Sequence, residues 1–326
     1  MVLLALALLA AAGSFVATQR WAFAHDKLHA RHASPALKPQ PASPETLHQL
    51  RAAASEQRVA ARAPFALGTQ LLVAGAAPRL ERTAIRPISA PSAILVDANT
   101  GAVLWAKRQN QRRPIASTTK IMTGVLALEH LPLTKILRIN PLVTRVALNR
   151  EGLRARERVP VWKLMYGLLL FSGNDDALEL AIATSGSRGA FLRLMNEKAH
   201  ELGLRKTHFT SPSGVVDRGN FSSAYDLAAL ARYAMAIPRF RAFTSKRIAR
   251  VRWPAPTYGK TYVNKNQLIG TYPGADGVKT GWTTLAGHCL VVSARRGGKS
   301  LIAVVLHSPN PYGDTRRLLN FGFANS

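Results

Sequence analysis

The spacing of hydrophobic positions changes twice between residue 92 and the C-terminus. Ala93-Ile94-Leu95-Val96 and Ala102-Val103-Leu104-Trp105 are unbroken apolar runs, joined by the turn-forming stretch Asp97-Ala98-Asn99-Thr100-Gly101. They predict two strands and a hairpin. From Ile121 the period lengthens: Met122, Val125, Leu126 and Leu128 recur at helical spacing as far as Glu129. Helical patterns broken by Gly- and Ser-rich turns then dominate from residue 161 to about residue 235. Near the end the strand pattern returns at residues 277–280, 288–294 and 300–306, the last two joined around Gly297-Gly298, and residues 316–322 close with a short helical piece. Strands at both ends and helices between them predict an α+β fold, one antiparallel sheet built from both ends with a helical insertion.

Residues 2–17 are apolar and rich in Leu and Ala, short for a membrane span, and Ala22-Phe23-Ala24 offers a small-residue cleavage site. The expectation is an export signal over residues 1–24, cleaved before His25. No Lys or Arg precedes the apolar run and the first, Arg20, follows it, so an uncleaved N-terminal anchor is the alternative. Residues 25–87 form an Ala-, Pro- and Arg-rich leader or linker, with prolines at 35, 39, 41, 44, 64, 78 and 87. Three of its histidines, His25, His29 and His32, could gather round a metal only in a folded tract, and no metal is assigned. Residues 65–77, apolar with two glycines, are compatible with a short docked strand or helix. The folded domain is expected over residues 88–326.

Charge alters this picture more than composition does. The chain carries 44 Lys+Arg against 17 Asp+Glu, a net +27, and from Pro91 onward 34 basic residues stand against 13 acidic. Such an excess points to an anionic surface nearby: nucleic acid, lipid headgroups or an acidic envelope polymer. The basic residues are scattered, and no basic–aromatic or helix-turn-helix pattern accompanies them, which argues against nucleic acid. The single cysteine, Cys289, lies in an apolar run and reads as a small buried hydrophobe; no Cys/His spacing resembles a zinc site.

The candidate chemistry begins at Pro114-Ile115-Ala116-Ser117-Thr118-Thr119-Lys120. Ser117 falls at the approach to the predicted helix, and Lys120 follows one turn later on the same face. A serine and a crowded amine at that spacing suit a nucleophile and its base, and free N–H groups at a helix start suit a developing oxyanion. Alone, the tetrapeptide is a weak signal and reads first as a helix cap with a solvated lysine. Ser172-Gly173-Asn174 lies in a predicted non-helical turn after the apolar helix 164–171, where Ser172 and Asn174 can point the same way. Lys279-Thr280-Gly281 lies on a strand, with Gly281 permitting close approach of a ligand. The order S-x-x-K, S-x-N, K-T-G is that of penicillin-interacting serine enzymes.

The chain resembles the D-alanyl-D-alanine carboxypeptidases, the low-molecular-mass penicillin-binding proteins. The likeness extends through Tyr166-Gly167-Leu168-Leu169-Leu170-Phe171-Ser172-Gly173-Asn174-Asp175, Tyr272-Pro273-Gly274-Ala275-Asp276-Gly277-Val278-Lys279-Thr280-Gly281-Trp282-Thr283 and Ala286-Gly287-His288-Cys289-Leu290, and covers about residues 88–323. It implies the fold of serine β-lactamases and penicillin-binding proteins, a five-stranded antiparallel sheet flanked by helices with an all-helical subdomain. It implies that Ser117 is the nucleophile, Lys120 its base, and Ser172 and Asn174 a proton relay and amide holder. Lys279 and Thr280 would bind the substrate carboxylate, Gly281 would allow close approach, and the N–H groups of Ser117 and Trp282 would form the oxyanion hole. It implies peptidoglycan stem peptides as substrates, β-lactams as covalent inhibitors, no cofactor, and a periplasmic or other extracytoplasmic location. The β-rich second domain and C-terminal membrane-binding helix of many relatives have no counterpart after residue 323, so any membrane attachment is expected from the N-terminus. Trp282 is a large aromatic where relatives vary, and leaves substrate preference open.

Three competing readings share parts of this pattern. A serine β-lactamase would carry a deacylating glutamate in an E-x-x-L-N loop, and none of Glu179, Glu197 and Glu201 begins one. A DD-endopeptidase would use the same residues. A non-enzymatic module binding an anionic polymer, with a vestigial site, would account for the charge alone.

Overall fold

The computed structural model describes residues 85–215, 219–252 and 259–325. The expected signal or anchor, the leader as far as residue 84, with His25, His29 and His32, and residues 65–77 lie outside the described residues.

The chain enters the sheet with β1 (Ser92–Asp97) and β2 (Val103–Lys107), then makes the two-residue strand β3 (Arg113–Pro114). One 3-10 turn, Ala116–Thr119, leads into α1 (Lys120–His130). A small ribbon of β4 (Ile136–Arg138) and β5 (Arg158–Pro160) precedes α2 (Val161–Tyr166), which widens into a π turn, Gly167–Phe171. Helices α3 (Asn174–Ser185) and α4 (Arg188–Glu201) follow, then β6 (Phe221–Ser222), α5 (Ala224–Ala236) and α6 (Pro238–Thr244). The ribbon β7 (Ile248–Val251) and β8 (Lys260–Val263) leads to the long strands β9 (Ala275–Thr283), β10 (Gly287–Arg296) and β11 (Lys299–Ser308), and α7 (Pro311–Asn325) ends the chain.

Five strands form one antiparallel sheet in the order β2-β1-β11-β10-β9, so the last strand pairs with the first. The sheet is thus built from both ends of the domain, as the apolar pattern predicts. Its central strands read as continuous apolar runs because both faces are covered. Ala93, Leu95, Val292, Ala303 and Val305 pack with Leu318 and Leu319 of α7, while Ile94, Val96, Val291, Ile302 and Val304 join the core of the helical side. That second core runs without a break from the sheet through α1 to α6. The α7 helix comes so close that a Cβ at Gly322 would stand 2.6 Å from Leu301 Cδ1.

The structure departs from the sequence reading in element lengths. The terminal helix runs over 15 residues, not seven. Its first turn holds Asp314, whose carboxylate accepts from Ser89 N (2.9 Å), Ala90 N (2.8 Å) and Ser308 Oγ (2.7 Å), so its polarity serves the sheet rather than solvent. The serine-bearing helix has no polar face over residues 120–127, which are all buried.

Candidate active site

Ser117 stands in the 3-10 turn, and Lys120 is the first residue of α1. The residue before the serine, Ala116, takes φ 46°, a left-handed conformation seldom adopted by a residue with a Cβ. A loop from the helical side presses on that turn: a side chain at Gly214 would overlap the Ala116 carbonyl oxygen, and Gly214 itself has φ +74°. On the other side runs β9, where a Cβ at Gly281 would lie 3.0 Å from both Ile115 O and Ser117 N. Backbone approach and a left-handed φ require glycine at 214, and at 281 a side chain would fit only if the Ser117 turn gave way slightly.

Lys120 is completely buried. Its Nζ lies 3.0 Å from Ser117 Oγ, 2.8 Å from Asn174 Oδ1 and 3.0 Å from Ser213 O. Burial, reinforced by the charges of Lys279 and Lys265, holds its pKa well below the ordinary lysine value, against a weaker pull from Asp176 and Asp175. A neutral amine has two N–H groups and one lone pair. With Asn174 Oδ1 and Ser213 O accepting those N–H groups, the lone pair is left for the Ser117 hydroxyl. The arrangement can therefore take a proton from Ser117.

The second motif follows the π turn. Ser172 adopts φ 71°, ψ 35°, and reverses the chain so that Gly173 caps α3. The sequence reading puts Ser172 and Asn174 together in a non-helical turn; in the structure Asn174 already opens α3. Its side chain accepts from Lys120 and donates to Ala147 O (3.3 Å). The Ser172 side chain is buried, and its hydroxyl has no hydrogen-bond partner among the described residues. Asn149 stitches the turn down, donating to Ser172 O (2.5 Å) and accepting from Lys265 Nζ (2.7 Å).

The third motif lies on the edge strand β9. Lys279 is buried there, donates to Thr280 O (3.0 Å), and has its pKa lowered to about 7 by burial and then by Lys265. Thr280 is half-buried and Trp282 is 59% exposed, its ring 6.2 Å from that of His288. Cys289, opposite Gly281, is buried as expected, and burial pushes its thiol up to about 11.

The structure thus brings Ser117, Lys120, Asn174 and Gly281 into one cluster, and sets Lys279 close enough to bear on Lys120 electrostatically. Sequence reasoning missed Ser213, Asn149 and Lys265. Ser211-Pro212-Ser213-Gly214 reads as a turn, but a turn does not announce where its carbonyl points.

Comparison with known proteins relates the chain to one family. The Peptidase S11 family profile, described as D-alanyl-D-alanine carboxypeptidase, matches residues 79–310. The D-alanyl-D-alanine carboxypeptidase DacF of Bacillus subtilis is 37% identical over 253 residues, 75% of this chain and 64% of that protein. The D-alanyl-D-alanine carboxypeptidase of Streptomyces sp. strain K15 is 36% identical over 277 residues, covering 78% of this chain and 94% of the relative. The crystal structure of the Streptomyces K15 DD-transpeptidase matches with a TM-score of 0.70 and 33% identity, over 73% of this chain and 98% of that one.

Proposed function

Since the chain belongs to the D-alanyl-D-alanine carboxypeptidase family, Peptidase S11, we propose that it is a serine-type D-Ala-D-Ala carboxypeptidase that trims the terminal D-alanine of peptidoglycan stem peptides. One observation carries the reading. The Lys120 amine is buried, low in pKa, and within 3.0 Å of the Ser117 hydroxyl, with its other hydrogen-bonding positions already filled.

Ser117 Oγ attacks the carbonyl carbon between the two D-alanines, and its proton passes to Lys120 Nζ. The oxyanion that forms is met by the N–H groups of Ser117 and Trp282; the close approach of β9 at Gly281 supports that pairing. Collapse breaks the peptide bond, and the leaving amine takes a proton relayed from Lys120 by Ser172. Asn174 holds both the base and the substrate amide, while Lys279 and Thr280 receive the free carboxylate. Water then attacks the Ser117 ester, releases the shortened peptide, and restores the enzyme. β-Lactams acylate the same serine and leave slowly.

The protein works outside the cytoplasm, with residues 1–24 as export signal or anchor, residues 25–87 as leader and residues 88–326 as the catalytic domain. No helix among the described residues is long and apolar enough to cross a membrane. The net charge of +27 supports an anionic envelope surface as its surroundings.

The test is covalent labelling by a fluorescent penicillin together with product analysis on a pentapeptide ending in D-Ala-D-Ala. Labelling and release of one D-alanine are expected from the wild type, and neither from Ser117→Ala or Lys120→Ala. Undiminished labelling of a folded Ser117→Ala protein would remove Ser117 from the mechanism.

A further inference from the structure

Beside the second motif lies a buried charge cluster that the acyl-transfer steps do not use. The side chains of Glu151 and Asp176 are both withdrawn from solvent. Glu151 Oε1 accepts from Lys163 Nζ, from Lys260 Nζ (3.0 Å) and from Tyr262 OH (2.8 Å). Its second oxygen, Oε2, and both oxygens of Asp176 find no donor. A side chain at Gly167 would overlap both Glu151 Oε2 and Asp176 Oδ1, so these two acceptors crowd the same point above the π turn. Asp176 Oδ2 is pressed in the same way against Gly173. Two ionised carboxylates do not share such a place; one proton between them turns the repulsion into a hydrogen bond.

The donors decide which of the two keeps it. Glu151 Oε1 is met by two ammonium groups and a phenol, which favour its charged form. Burial by itself would raise Glu151, but Lys163 and the other donors bring its pKa below the usual range. Asp176 is driven the other way, by burial first and by the Glu151 charge second, to well above the usual range.

We propose that Asp176 is a protonated carboxylic acid at neutral pH, donating to Glu151 Oε2, and that this pair is a positioning unit which keeps a negative charge away from the Lys120 amine. Asp176 sits two residues beyond Asn174, whose side chain accepts from Lys120. An anion at Asp176 raises the Lys120 pKa and so fills the lone pair the base needs. The other charged groups facing the pair have their own work. Lys163 of α2 and Lys260 of β8 hold Glu151, and Asp175 accepts the N–H groups of Glu151, Gly152 and Leu153. Tyr262 donates its proton to Glu151 and supplies none to Asp176. A neutral Asp176 also lets its carboxyl lie between the backbones of Gly167 and Gly173, which bracket Ser172 and are joined by the hydrogen bond Gly173 N to Gly167 O (2.9 Å).

This inference rests on Lys120 being the base, so the experiment pairs an activity readout with one that needs no activity. Infrared spectra of the full-length protein carrying isotope-labelled aspartate are expected to show a carboxylic-acid carbonyl band at neutral pH that disappears in Asp176→Asn. The rate of penicillin labelling is then followed against pH in Glu151→Gln, Asp176→Asn and the double variant. In Glu151→Gln the amide can donate to Asp176, which ionises; labelling is expected to slow roughly three- to tenfold on the acid side, with the acid limb moved to higher pH. Asp176→Asn, permanently neutral, keeps the wild-type limb, and adding it to Glu151→Gln restores that limb. A purely structural role would lower labelling at every pH without moving the limb. Absence of the acid band in the wild type, or an unmoved limb in Glu151→Gln, overturns the proposal. If Glu151→Gln does not fold, the band and the Asp176→Asn limb decide. Failure of the wild type to label at all would count against the carboxypeptidase reading and leave the infrared result to judge the pair.

Discussion

Two buried lysines in one cleft carry opposite requirements. In the proposed mechanism Lys120 acts as a base only when neutral, and Lys279 would receive the carboxylate only when charged. Burial lowers both, and the charge of Lys279 lowers Lys120 further. With the Lys279 pKa lowered to about 7, kcat/KM on a free-acid peptide is expected to fall as pH rises past about 7 and Lys279 loses its proton, and to fall at low pH as Lys120 gains one. Lys279→Ala is expected to lower kcat/KM on that peptide about ten- to a hundredfold, the worth of a charge-assisted contact. It should also abolish the fall above neutrality and move the acid limb to higher pH, because Lys120 loses a repelling neighbour. A C-terminally amidated peptide should be a poor substrate for the wild type, and the variant should lose little more on it. Equal cleavage of both peptides by the wild type would show that Lys279 does not read the carboxylate.

At the scale of elements, the sheet is tied to α7 by Asp314. Its carboxylate gathers donors from Ser89, Ala90 and Ser308, and from Arg317 Nη1 at 3.1 Å. Burial alone would raise its pKa, but these hydrogen bonds outweigh that and hold it below the usual range. A carboxylate lowered in the folded state contributes stability above its unfolded pKa of about 3.9, and that contribution is lost as pH falls through the folded value. Asp314→Ala is therefore expected to cost about 2–4 kcal/mol at neutral pH, since several buried donors lose their partner at once. The loss relative to wild type should shrink as pH drops below about 4. Urea unfolding at neutral and acid pH checks both the size and the sign. A variant as stable as wild type at neutral pH would show that α7 docks by its apolar face alone, through Leu318 and Leu319.

At the scale of the molecule, the first buried side chains among the described residues are Ile88 and Ala90, either side of Ser89, which meets Asp314. Residues 25–84 have a composition that cannot readily form a core, rich in Ala, Pro and Arg. Removing them is expected to leave melting temperature and peptidase activity nearly unchanged. A large drop in melting temperature would show instead that the apolar stretch 65–77 packs on the domain. The excess of basic residues continues from Pro91 onward, so the proposed association with an anionic envelope polymer should survive the truncation and weaken with salt.

The sequence by itself determined the sheet, its construction from both ends of the domain, and the three motifs of the cleft. Those features live in local pattern: apolar runs for β1, β10 and β11, a helical period after Ser117, and the residues Ser117, Lys120, Asn174 and Lys279 in order. Only the tertiary structure decided what surrounds them. The third group on the Lys120 amine is the carbonyl of Ser213, which every residue type possesses and no sequence pattern marks. Asn149 and Lys265 meet across 116 residues, and Glu151 lies beside Asp176 because the loop carrying it is pinned by Asp175. Whether a lysine is charged, or two carboxyls share a proton, depends on burial and on neighbours brought in from distant parts of the chain. Those are properties of packing, and they exist only once the chain has folded.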